Sequence, residues 1–112
     1  MRRPRHKTGI ILAALGALWA AAVVADIPTA RQAELMHLLA QDCGSCHGLT
    51  RKGGLGPALT KAALADKPAA MLREVILHGR PGTPMPPWKS FMSAPEADWL
   101  VEVLLEGKTD AH

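Results

Sequence analysis

Two cysteines and a histidine packed into five residues, Cys43-Gly44-Ser45-Cys46-His47, constrain this chain more than any other feature. They are the only cysteines in 112 residues, so a disulfide-rich scaffold is excluded. Three chemistries use closely spaced thiols of this kind: a dithiol redox pair, half of a zinc site, and the attachment of a c-type haem. A redox pair would follow a strand in a βαβ setting, whereas the residues before Cys43 carry a helical pattern. A structural zinc site needs four ligands, and no second cysteine pair exists. The haem reading uses every residue of the motif. Thiols one helical turn apart can each add to one of the two vinyl groups along a haem edge, and the next residue, His47, falls under the iron. Gly44 is expected to remove bulk where the backbone approaches the ring.

Covalent haem of this type is attached outside the bacterial cytoplasm, and the N-terminus agrees. Arg2, Arg3, Arg5 and Lys7 precede an uncharged run, Ile10 to Ala25, that Asp26 ends. This is the pattern of a secretory signal peptide, with Val23 and Ala25 suiting cleavage after Ala25. Residues 1–25 are therefore expected to be a signal peptide and residues 26–112 a single haem domain in the periplasm. The alternative is an uncleaved anchor, but the run has 16 residues where roughly 20 are needed to span a bilayer as a helix. A twin-arginine signal is disfavoured because Pro4, Arg5, His6 and Lys7 do not continue it. No stable membrane span is expected in the mature form.

Without the presequence the charge changes sign. From Asp26 to His112 there are nine Lys and Arg against ten Asp and Glu, a formal net charge of −1, although the whole chain carries +3. Nucleic-acid binding is excluded on this ground. A mature chain of this size buries a modest core, and the haem would supply part of it.

The pattern predicts an all-α domain of three to four helices with long loops. Ala30 to about Asp42 reads as a helix, with Leu35, Leu38 and Leu39 on one face and Thr29 and Gln32 at capping-box spacing. Residues 48–57 hold four glycines and read as a loop. A short helix is expected over Thr60 to Ala65. A longer one runs from Pro68, at its first position, to His78, with Gly79 just beyond its end. Ser93 and Glu96 open the last helix, Pro95 fits its first turn, and Gly107 ends it.

Met85 is the strongest choice for the second iron ligand. It lies 38 residues after His47, inside Gly82-Thr83-Pro84-Met85-Pro86-Pro87-Trp88. Three prolines restrict the backbone around one thioether. His78, which ends a helix, is the rival ligand, and an open site is the third option. Met36 and Met71 sit at helical positions, His37 reads as surface, Met92 lies in a linker, and His112 is the chain end. His/Met ligation raises the reduction potential and leaves no open position for oxygen or peroxide. Pro57, in Gly56-Pro57-Ala58-Leu59, is placed to accept a hydrogen bond from the ring N–H of His47, and Leu59 to pack on the haem face.

Taken together, the first helix, residues 43–47, Pro57, Met85 and the last helix resemble class I cytochromes c, and the short span from His47 to Met85 resembles their small bacterial members. Two stretches are more particular: CGSCHGLTRKGGLGPAL from Cys43 to Leu59, and ILHGRPGTPMPPW from Ile76 to Trp88. They resemble the cytochrome c55X type, associated with cytochrome cd1 nitrite reductase in denitrifying bacteria. The resemblance implies one haem c per chain, no enzymatic activity of its own, and electron transfer to that reductase or a part in maturing its haem d1. An alternative function is a haem-based ligand sensor or small peroxidase with an open or labile axial site. Arg51, Lys52, Arg80 and Lys89 flank the two stretches and are expected to form a basic collar facing an acidic partner.

Overall fold

The computed structural model describes residues 26–110 and five isolated positions before them, Pro4, Gly9, Ala13, Ala14 and Gly16. The signal peptide expected over residues 1–25, its cleavage site and His112 lie outside the described residues, those five positions apart. Among the described residues there is no strand, and no helix is long and apolar enough to cross a membrane.

Among the described residues five α-helices form the fold: α1 (Thr29–Leu38), α2 (Gly44–His47), α3 (Lys61–Leu64), α4 (Ala69–His78) and α5 (Ala94–Leu105). A π-helical turn, Leu39–Cys43, joins α1 to α2 without a break. The single helix expected from Ala30 to Asp42 therefore continues through the cysteine motif. The wider turn inserts one residue per cycle and re-aims everything after it, a device often found beside functional sites. Cys43, the last residue of that turn, and Cys46 on α2 come three residues apart along one continuous helical face.

The start of α1 differs from expectation. Pro28, not Thr29, is its N-cap, and no side chain caps it. Gln32 reaches past Thr29 and donates to the Ile27 carbonyl instead. Pro68 likewise stands just outside α4 as its N-cap, with extended backbone. The capping box of α5 forms as expected: Ser93 Oγ accepts from the Glu96 N–H, and Glu96 accepts from the Ser93 N–H.

Helix α5 is the spine, packing on α1, α3 and α4. Ala97, Leu100, Val103 and Leu104 of α5 are buried with Leu35, Leu39, Leu64 and Leu77 from the other elements. Met92 joins this core at 6% exposure, so the linker before α5 is itself anchored by burial. Arg31 of α1 ties the helix starts together. It donates to both carboxylate oxygens of Glu96 on α5, at 3.1 and 3.0 Å, and to the Phe91 carbonyl at 2.6 Å. The core is one-sided: beyond it the helices open into a cleft.

Candidate haem site

The cleft has a volume of about 440 Å³. Cys43 lines it from the end of the π-helical turn, Cys46 and His47 from α2, Leu59 from the glycine-rich loop, and Met85 from the loop after α4. Leu100 and Leu104 carry the hydrophobic core up to its surface. All six site residues read from the sequence, Cys43, Cys46, His47, Pro57, Leu59 and Met85, meet around this one space. His78 does not. Its side chain is exposed and lies 3.3 Å from the Glu74 carboxylate.

The wall carrying His47 is built by its neighbours. Nδ1 of His47 lies 2.7 Å from the Pro57 carbonyl oxygen. A carbonyl can only accept, so Nδ1 carries the hydrogen and Nε2 keeps its lone pair for a metal. Pro57 is held in place by the turn before it, where the Gly56 N–H donates to the Cys46 carbonyl at 2.8 Å. Gly56 has to be glycine for close approach: a Cβ there would stand 2.7 Å from His47 Cε1 and 2.8 Å from Nδ1.

The Met85 wall is clasped to α4. The last carbonyls of a helix lack intrahelical partners. Here those of Ile76 and Leu77 accept from the N–H groups of Trp88 and Lys89, at 3.0 and 3.2 Å. The Arg80 N–H donates to the Met85 carbonyl at 3.2 Å. Thr83 Oγ1 donates to the Arg80 carbonyl at 2.7 Å and accepts from the Met85 N–H at 3.4 Å. Gly79, at φ 70°, completes the clasp, since a Cβ would come within 2.6 Å of the Met85 carbonyl oxygen. The prolines remove competing donors, and these bonds hold the backbone that carries the thioether.

The structure corrects two details. Gly44 faces away from the cleft, and a Cβ on it would meet Leu49 Cα at 3.4 Å, because the chain reverses there behind α2. Arg51 is not part of an exposed collar. It is 5% exposed, with its guanidinium bonded to the carbonyls of Leu49 and Thr109, because the C-terminal segment folds over it. Lys52, Arg80 and Lys89 remain exposed.

The chemistry of the thiols discriminates between readings. Burial pushes the Cys43 thiol up to about 11, with the Asp42 carboxylate adding to the rise. A dithiol redox nucleophile needs the opposite shift. Among the described residues no third His, Cys, Asp or Glu joins them into a donor cluster. An apolar cleft with two thiols, one imidazole nitrogen freed by its neighbour and one thioether fits a haem in both shape and donor set.

Such a fold around such a cleft is that of a small class I c-type cytochrome, whose haem c is covalently bound. The family model described as "Cytochrome C oxidase, cbb3-type, subunit III" matches residues 30–103. Cytochrome c55X of Pseudomonas aeruginosa is 60% identical over 78 residues, 70% of this chain and 66% of that protein. Cytochrome c55X of Stutzerimonas stutzeri is 50% identical over 106 residues, covering 95% of this chain and 93% of its own length. The solved c-type cytochrome NirC superposes with a TM-score of 0.73 at 58% identity, over 74% of this chain and 98% of that one. Dihydro-heme d1 dehydrogenase NirN, solved in complex with DHE, is similar to a part of this chain. The TM-score is 0.58 at 43% identity, over 62% of this chain and 15% of NirN. The chain belongs to this family of cytochrome domains and, within it, to the cytochrome c55X type.

Proposed function

We propose that this protein is an exported, periplasmic one-electron carrier of denitrification, with its haem joined to Cys43 and Cys46 and its iron held by His47 and Met85. We further propose that it exchanges electrons with cytochrome cd1 nitrite reductase, either supplying that enzyme or serving the maturation of its haem d1. The observation that carries the reading is the convergence of His47, oriented by Pro57, and a clasped Met85 on one apolar cleft.

When bound, the haem supplies a one-electron couple at its iron. The chain's own residues determine how that couple is used. The Pro57 carbonyl keeps the proton on Nδ1 of His47 and so fixes which nitrogen faces the cleft. The clasp on α4 limits how far Met85 can move between redox states, which keeps reorganisation small. Leu59, Leu100 and Leu104 present apolar side chains to the cleft. The sensor or peroxidase alternative needs an open axial position or a polar group facing it. His78, the distal group it would use, points to Glu74 on the outer face of α4.

The cytochrome-like part of NirN supports the link to haem d1, since a segment similar to this chain is part of a protein named dihydro-heme d1 dehydrogenase. Stopped-flow mixing of the reduced protein with oxidised cytochrome cd1 nitrite reductase tests the partner. Fast, saturable oxidation is expected. A rate no greater than that of an unrelated cytochrome c would rule the reductase out.

A further inference from the structure

Three charged side chains line the otherwise largely apolar cleft: Asp42, Lys67 and Arg80. Asp42 stands next to Cys43 in the π-helical turn. Lys67 and Arg80 flank α4 at its two ends, and α4 presents Leu72, Val75 and Ile76 to the cleft between them. The two cations are not equally engaged. Lys67 lies 3.8 Å from the Asp66 carboxylate. Of the other described arginines, Arg31 and Arg73 bond to carboxylates and Arg51 to carbonyls. The guanidinium of Arg80 lines the cleft with no hydrogen-bond or ion-pair partner among the described residues.

The backbone of Arg80 is fixed where its side chain is free. Its N–H donates to the Met85 carbonyl at 3.2 Å, and its carbonyl accepts from the Thr83 N–H at 3.1 Å and from Thr83 Oγ1 at 2.7 Å. The guanidinium is therefore delivered to the cleft from within the clasp that carries Met85. A haem brings two carboxylates into this space as its propionates, on the porphyrin edge opposite the vinyl groups. Thioethers to Cys43 and Cys46 hold the vinyl edge against the helix that also carries Asp42, so the propionates fall on the far side, away from that like charge. A carboxylate among apolar side chains is costly unless a cation meets it. A guanidinium meets it best, because its planar fork matches both oxygens.

We propose that Arg80 binds a haem propionate: its guanidinium pairs with the carboxylate at the cleft rim and so ties the Met85 loop to the haem. The inference rests on the haem reading proposed above.

The test reads the propionates themselves. The full-length protein, exported and loaded with haem made from carboxyl-labelled (carbon-13) aminolevulinic acid, gives a separate NMR signal for each propionate carboxyl. The reduced native protein is titrated beside Arg80→Gln, Arg80→Lys and Lys67→Gln. A neighbouring cation favours the charged carboxylate, so its removal raises the proton affinity. Arg80 is exposed, and an ion pair of that kind is worth a factor of up to about five. Arg80→Gln should raise the proton affinity of one propionate about threefold, moving its titration up by about half a pH unit. Arg80→Lys keeps the charge without the fork and should move it by less than half as much. Asp42, Lys67 and His47, the other charged or titratable groups that face this space beside the thiols, stay in place in both Arg80 variants. Lys67→Gln should leave that propionate unmoved. The absorption spectrum shows whether haem is attached and methionine bound in each variant, which separates failure of this inference from failure of the haem reading. The carboxyl signals remain readable even in a variant that loses methionine ligation. If no propionate moves in Arg80→Gln, the inference is overturned. An equal movement in Lys67→Gln would overturn it too, because the effect would then belong to the general field and not to a pairing with Arg80.

Discussion

Replacing Gly56 by alanine puts a methyl group where the His47 ring already stands. The new carbon would meet Cε1 at 2.7 Å, Nδ1 at 2.8 Å and Nε2 at 3.2 Å. All three belong to one rigid ring, so the ring must tilt or the Gly56-Pro57 backbone must retreat. Either movement breaks the 2.7 Å bond between Nδ1 and the Pro57 carbonyl. Loss of that bond costs about 0.5–1.5 kcal/mol, and overpacking adds about 1–3 kcal/mol. Alanine lowers the entropy of the unfolded chain, which offsets about 0.4–1 kcal/mol. The net is a destabilisation of about 2 kcal/mol, or about 10 °C in Tm for a domain of this size. Gly44→Ala is the matched control. That Cβ stands 3.4 Å from Leu49 Cα, in ordinary contact, on a helical residue. It should be neutral or stabilising by up to about 1 kcal/mol. Thermal unfolding of both variants, followed by circular dichroism and haem absorption, is the assay. Gly56→Ala as stable as the native protein would refute the geometry proposed for the His47 wall, and a strongly destabilised Gly44→Ala would return Gly44 to the cleft.

Further outcomes are expected. Thr83→Ala removes two bonds of the Met85 clasp and should cost about 1 kcal/mol; methionine ligation, read from the far-red absorption band, should be lost at lower denaturant than global unfolding. The Arg31 hydrogen bonds and charge hold the Glu96 carboxyl below its ordinary value of 4.5. A carboxyl lowered in the folded state contributes stability that is present above its unfolded value and is lost as pH falls through the folded one. Glu96→Gln should therefore unfold at a lower temperature than the native protein at neutral pH, and the difference should shrink in acid, as scanning calorimetry across pH would show.

Much of this was legible from local chemistry. The cysteine motif, the Pro57 carbonyl beside His47 and the capping box of α5 all depend on residues within ten positions of each other, where spacing constrains geometry. The features that escaped are tertiary. Nothing in Leu39-Ala40-Gln41-Asp42-Cys43 marks a π-helical turn, although Leu39 at its start is buried in the core. Arg51, in a glycine-rich loop, reads as solvated charge, and its burial depends on Thr109, 58 residues away. Met92 reads as a linker residue until α5 is seen to carry it into the core. Thr29 does not cap α1 because the helix starts one residue earlier, on Pro28, whose carbonyl takes the Gln32 backbone N–H at 2.9 Å.

The iron ligands are the centre of the account, and one spectrum tests them directly. The oxidised protein should show the weak far-red band of iron–methionine ligation, and Met85→Ala should abolish it while leaving haem attached through Cys43 and Cys46. If the native protein lacks that band and its reduced form binds carbon monoxide readily, Met85 is not on the iron, and the reading as a closed electron carrier is wrong.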